Sequence, residues 1–178
     1  MVMGDVTVRK YDRRMSRVID GYCRHDRRLA ESWYEEAERW ARTRGNKYGA
    51  TLEQVAGVIA AFSPRVSWKR NLELADMFLA GDATPGLRMS RENAEKVYAG
   101  GTLTGPKTAA FAANIAGDYD PVTVDVWMMR AAGLDTDRPT VVQYREISKA
   151  VRRMARRHGM TPAAMQALIW IKIRGKAE

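Results

Sequence analysis

Apolar positions along the chain recur mostly three and four residues apart, the spacing that lays side chains along one face of a helix. Leu29, Trp33, Ala37 and Trp40 form the first clear stripe, and Gly45 is its expected stop. Thr51-Leu52-Glu53-Gln54 has the form of a capping box, with Leu52, Val55, Val58, Ile59 and Phe62 as the apolar face behind it. Ser63-Pro64-Arg65 ends that helix, because a proline ring pushes the residue before it out of the helical region. A further helix is expected after Ser67, turning Leu72, Ala75, Phe78 and Leu79 inward as far as Gly81.

Residues 81–89 carry Gly81, Pro85 and Gly86 and read as a loop. Ser90 is placed to cap a short helix to Ala99, which Gly100-Gly101 ends. Pro106 suits the first turn of a helix reaching about Ala116. Val122-Thr123-Val124 is the one strand-like run, too short for a sheet and without a partner. Asp125 then caps a helix through Ala132. Thr140 opens a helix carrying Val142, Ile147, Val151 and Met154, and Thr161-Pro162 opens the last one. The pattern predicts an all-α protein of many short helices, with Trp33, Trp40 and Trp170 in the core.

Composition adds limits. A chain of 178 residues, 46% hydrophobic and 29% charged, can bury a core without disulfides or metal. One cysteine, Cys23, excludes an internal disulfide, a thiolate-held iron–sulfur cluster and a multi-cysteine zinc site. His25 and His158 are far apart and read as surface or capping residues, so neither a metal nor another cofactor is expected. No apolar run is long enough to cross a bilayer and no signal peptide follows Met1, so no membrane partner and a cytoplasmic location are expected.

Charge points to a partner. The 30 Lys and Arg against 21 Asp and Glu leave +9, which favours a polyanion, since each phosphate neutralised releases counterions. Basic stretches run from Arg9 to Arg28 and from Arg138 to Arg157, each either a solvated face or a track for a DNA backbone. Arg65, Lys69 and Arg70, beside the polar loop after Ser63, are better candidates for phosphate contact.

The chemistry-bearing region is Gly101-Thr102-Leu103-Thr104-Gly105-Pro106-Lys107-Thr108-Ala109, followed by Val122 to Trp127. A helix, a tight turn and a second helix would present backbone N–H groups at Thr104, Gly105 and Thr108 to a phosphate. Lys107 falls in the first turn of the second helix, where the positive end of the helix dipole disfavours the ammonium form. A lysine so placed suits an amine nucleophile. Asp125, one helix and an extended return later, is a candidate to stabilise positive charge on a sugar or to take a proton from the amine.

These segments resemble the helix-hairpin-helix and Val-Asp motif of the helix-hairpin-helix DNA glycosylase superfamily, particularly its endonuclease III branch. Gly105-Pro106-Lys107-Thr108-Ala109 stands at the place of the family's Schiff-base lysine segment, and Val124-Asp125 at that of its catalytic aspartate. Arg130 and Gly133 resemble the arginine and glycine that follow. Val58 to Ser67 resembles the helix and polar loop that press on DNA where a base is extruded, which adds Ser63 and Ser67 as DNA contacts. Asn93–Val97 and Met165–Trp170 resemble the helix before the hairpin and the late helix under the active site.

The likeness covers roughly residues 50–133, with a weaker match near the C-terminus. It departs from the family pattern at Leu103, where the hairpin usually has glycine, and at Val126-Trp127, where Thr-His often stands. The resemblance implies a small, iron–sulfur-free, two-lobed fold. Residues 48–132 would form the hairpin lobe, and 1–47 with 133–178 the second. It also implies duplex DNA with a flipped base as partner, and a glycosylase or AP lyase excising a damaged or modified base through Lys107 and Asp125. Trp68 and Trp127 are the base-pocket candidates. The alternatives are a non-catalytic DNA-binding protein or a phage-type base-hypermodification enzyme on the same fold.

Overall fold

The computed structural model describes residues 3–83 and 86–175, with side chains from residue 6 onward. Among them are nine helices and no strand: α1 Met3–Val18, α2 Arg24–Tyr48, α3 Leu52–Phe62, α4 Trp68–Leu79, α5 Arg88–Tyr98, α6 Pro106–Ile115, α7 Val126–Ala131, α8 Val141–His158 and α9 Pro162–Arg174. The all-α expectation holds. None of these helices is long and apolar enough to cross a membrane.

The chain divides into two compact units. Met1–Tyr34 with Tyr119–Ala177 forms a terminal unit, and Glu35–Asp118 a central one. Residues 119–132, grouped with the hairpin segment in the sequence reading, cluster with the terminal helices.

In the central unit α3 is the hub, packed by α4, α5 and α6. It was read as a helix with one apolar face. In fact Val55 to Phe62 are all buried, because neighbours surround it and a helix so enclosed needs no polar side. Its start is the expected capping box: Thr51 accepts from the Gln54 N–H, and the Gln54 side chain accepts from the Thr51 N–H. Gly57 brings α5 in close, since a Cβ there would run into the Val97 side chain.

Five local expectations change. Gly45 does not stop α2, which continues to Tyr48. The chain turns at Gly49 (φ 70°), and the Ala50 N–H donates to the Gly45 carbonyl at 3.0 Å. A Cβ on Gly45 would lie 2.6 Å from the Ala50 oxygen, so this glycine serves the closing turn rather than the break. The buried stripe of α2 is Ala30, Tyr34, Ala37 and Ala41, one register from the predicted one. Trp33, Trp40 and Trp170 are consequently half-buried, outside the fully buried core. Ser63 stays helical (φ −64°, ψ −22°) despite Pro64, and the reversal falls on Arg65. Ser90 lies inside α5 and is buried, with Leu87 at the cap position instead. Pro85 lies outside the described residues.

In the terminal unit α8 packs on α1 and α9, and α7 on α9. Ile147, Val151 and Met154 of α8 are buried as expected, but Val142 is 51% exposed because it precedes the part of α8 that meets the core. The basic run of α8 is only partly a solvated face. Arg157 makes two 2.8 Å bonds to Asp12 of α1, Arg153 approaches the same carboxylate at 3.5 Å, and Arg152 bonds Asp120. His158 closes α8 and shares a 3.0 Å hydrogen bond with the Tyr22 hydroxyl, the capping role expected of it.

Candidate functional site

In the central unit, the turn between α3 and α4 meets the start of α6. Lys107, the second residue of α6, donates from Nζ to Ser63 Oγ at 3.0 Å across 44 positions of sequence. Ser63 Oγ in turn donates to the Ala60 carbonyl at 2.9 Å. A hydroxyl has one proton, and here it goes to Ala60, so the serine oxygen receives from the lysine. The arrangement holds the amine at a fixed place while its remaining directions point elsewhere.

Aromatic rings form the floor. Lys107 Nζ stands 5.6 Å from the centre of the Phe111 ring, one turn further along α6. Trp68, at the start of α4, meets Phe111 edge-on at 6.3 Å. The expected pairing of Trp68 with the lysine region is therefore present, through Phe111, a residue that the sequence reading did not single out. Its signal was available: it lies four positions after Lys107 and so on the same helix face.

The other expected DNA contacts of this unit are arranged around that core. Arg65, exposed, is the one non-glycine with positive φ (64°) among the described residues. Ser67 caps α4 by accepting the Arg70 N–H at 3.3 Å, so this hydroxyl has an internal task. Arg70 pairs with Glu73 at 2.9 Å on the surface, a bond a phosphate can displace at small cost. Lys69, Thr104 and Gly105 are exposed. Thr108 donates to the Gly105 carbonyl at 3.1 Å, and no side chain caps α6. Pro106 occupies its first turn as expected.

Asp125 and Trp127 belong to the terminal unit. The buried run Val122-Thr123-Val124 leads to Asp125, which caps α7 by accepting the Met128 N–H at 2.9 Å. That run is anchored by its neighbours: the Tyr144 hydroxyl donates to the Val122 carbonyl at 2.7 Å, and the Ala163 N–H to the Tyr119 carbonyl at 3.0 Å. Tyr34 is buried nearby and donates to Gln166 at 2.7 Å. Burial pushes its phenol well above the usual range; a hydrogen bond with Thr123 opposes this, and the negative charge of Asp125 adds to it. Tyr34 and Gln166 had no role in the sequence reading. Trp127 is half-buried, with Arg130 stacked 4.7 Å from its ring centre and Arg174 5.5 Å away.

Asn71 was also missed. It is 2% exposed, one turn after Trp68 on α4, and its side-chain oxygen has no hydrogen-bond partner among the described residues. Among those residues no three His, Cys, Asp or Glu side chains are grouped to hold a metal ion.

No curated protein and no solved structure matches the chain. One family model does, over residues 2–177, and on that near-complete match the chain belongs to DUF7178, a family of unknown function.

Proposed function

We propose that the protein processes bases in DNA as a glycosylase or AP lyase-like enzyme, on a two-lobed fold of the helix-hairpin-helix glycosylase type. The observation that carries this reading is the Lys107–Ser63 contact, which fixes an amine beside two aromatic rings at an uncapped helix start. The net charge of +9 and the exposed Arg65 and Lys69 supply a route for the DNA backbone.

In this reading the neutral Lys107 amine attacks C1′ of an extruded nucleotide. The bond from C1′ to the base breaks, and the base leaves with the electron pair and takes up a proton. Asp125 stabilises the positive charge that develops on the sugar and accepts the proton lost by the amine. Opening of the sugar gives a Schiff base, from which β-elimination breaks the C3′–O bond. Ser63 presents only its oxygen to Lys107, so it orients the amine without competing for its lone pair.

The test is borohydride reduction in the presence of abasic-site DNA. Wild type is expected to give a covalent adduct, and Lys107→Ala none. No adduct from wild type, where a bifunctional glycosylase gives one, overturns the lyase reading. A non-catalytic DNA-binding protein is the second reading, favoured by Leu103 in the turn and by Trp127 being engaged with two arginines. It predicts salt-sensitive DNA binding unchanged in Lys107→Ala, with no base released.

A further inference from the structure

The terminal unit carries a chain of stacked cations and rings that the lysine site does not use. Arg130 lies over Trp127 at 4.7 Å, Arg174 lies 5.5 Å from Trp127 and 4.4 Å from Trp170, and Trp170 meets Trp33 edge-on at 6.0 Å. The three tryptophans are half-buried and Arg130 is exposed.

From this we infer that Arg130 and Arg174 form a phosphate-binding pair, preorganised by Trp127 and Trp170, that takes the backbone of a DNA strand. The inference rests on DNA as the partner but not on the lysine chemistry. Three features carry it. A guanidinium stacked on a ring spends its face and keeps its N–H donors in the plane, where a phosphate receives two of them at once. Arg130 makes no hydrogen bond or ion pair among the described residues, so its donors point to solvent. The other arginines of this unit show the contrast: Arg14 and Arg27 bond backbone carbonyls, and Arg152 and Arg157 bond carboxylates.

The second cation shares the Trp127 ring with the first. Two positive charges held beside one ring repel one another, and an anion relieves that repulsion. Stacking also removes much of the rotamer freedom that a free surface arginine would lose on binding. A strand of phosphates suits the pair better than an acidic protein, because the whole chain is strongly cationic and counterion release rewards each phosphate contacted.

The experiment is fluorescence anisotropy of a labelled DNA duplex over a salt series, with wild type, Arg130→Ala, Arg174→Ala and Arg130→Lys. Each alanine variant is expected to weaken binding about fivefold to tenfold and to lower the salt slope by about one contact. Arg130→Lys keeps the charge but not the fork, and is expected to recover the slope with only part of the affinity. Circular dichroism melting separates misfolding from lost contact, and a Trp127→Phe variant that melts like wild type retains a ring for stacking. Inorganic phosphate at millimolar concentration distinguishes the sources: a strand-specific pair is not displaced by it, and displacement of DNA at that level overturns the assignment to a strand. Wild-type affinity and slope in both folded alanine variants overturn the inference, even if Lys107 forms its adduct. Conversely, lost slope without any adduct sustains the pair and sinks the lyase reading alone.

Discussion

Ser63 is the residue on which the candidate lysine depends most directly. Its hydroxyl is the acceptor for Lys107 and is itself fixed by Ala60. Ser63→Ala removes one hydrogen bond worth about 0.5–1.5 kcal/mol, which corresponds to up to about a tenfold fall in the rate of adduct formation. Ser63→Thr restores a hydroxyl and is expected to recover most of that rate. An unchanged rate in the alanine variant would show that Lys107 needs no orienting partner. Arg65 offers a separate reading at the same scale. A left-handed conformation costs a residue with a Cβ roughly 1–2 kcal/mol, part of which glycine's extra unfolded freedom cancels. Arg65→Gly is therefore expected to stabilise the protein by about 0.5–1 kcal/mol in urea melts while weakening DNA binding. Stabilisation without weaker binding would remove Arg65 from the proposed interface.

At the scale of elements, the central unit depends on how closely helices approach α3. Gly57 faces Val97 of α5 with no space for a methyl group. Gly57→Ala forces α3 and α5 apart or drives Val97 off its rotamer, at about 1–3 kcal/mol, visible as a lower melting temperature. The same displacement would carry the α5–α6 turn with it, so adduct formation is expected to fall as well. A variant that melts like wild type would mean that α5 adjusts freely.

These element-level features also show what was readable from sequence. Thr51, Ser67, Asp125, Thr140 and Thr161 were all legible as helix starts because capping is local: side chain and backbone donor are three residues apart. Gly45 and Ser90 misled because each is a common punctuation residue whose meaning here is set by contacts. One lies under the Ala50 carbonyl, and the other is buried inside α5. The stripe of α2 was read one position off because Trp33 and Trp40 are large and apolar. Small Ala30, Ala37 and Ala41 fit the close packing better, and wide rings serve as a partly exposed cover.

Across the whole molecule, charge sets two conditions. Asp12 joins α1 to α8 through Arg157 and Arg153. Burial raises its carboxyl, but the Arg157 hydrogen bonds and charge outweigh this and hold it below the ordinary 3.8. A carboxylate depressed on folding contributes its stability above the unfolded value and loses it as pH falls through the folded one. Asp12→Asn is thus expected to cost about 1.5–3 kcal/mol near neutral pH, with the difference from wild type shrinking below about pH 4. A difference that stays constant to pH 2 would remove the ion pair from the account.

The sequence by itself determined the all-α class, most helix boundaries and the basic character, since periodicity, capping and composition act over a few residues or over the sum of them. It also marked Lys107, by its place beside Pro106 at a helix start. Only the tertiary structure decided which polar groups meet. Ser63 reaches Lys107 over 44 positions, and Tyr34 reaches Gln166 over 132. No pattern within one helix encodes such partners, because they are set by which faces of separate helices the packing brings together.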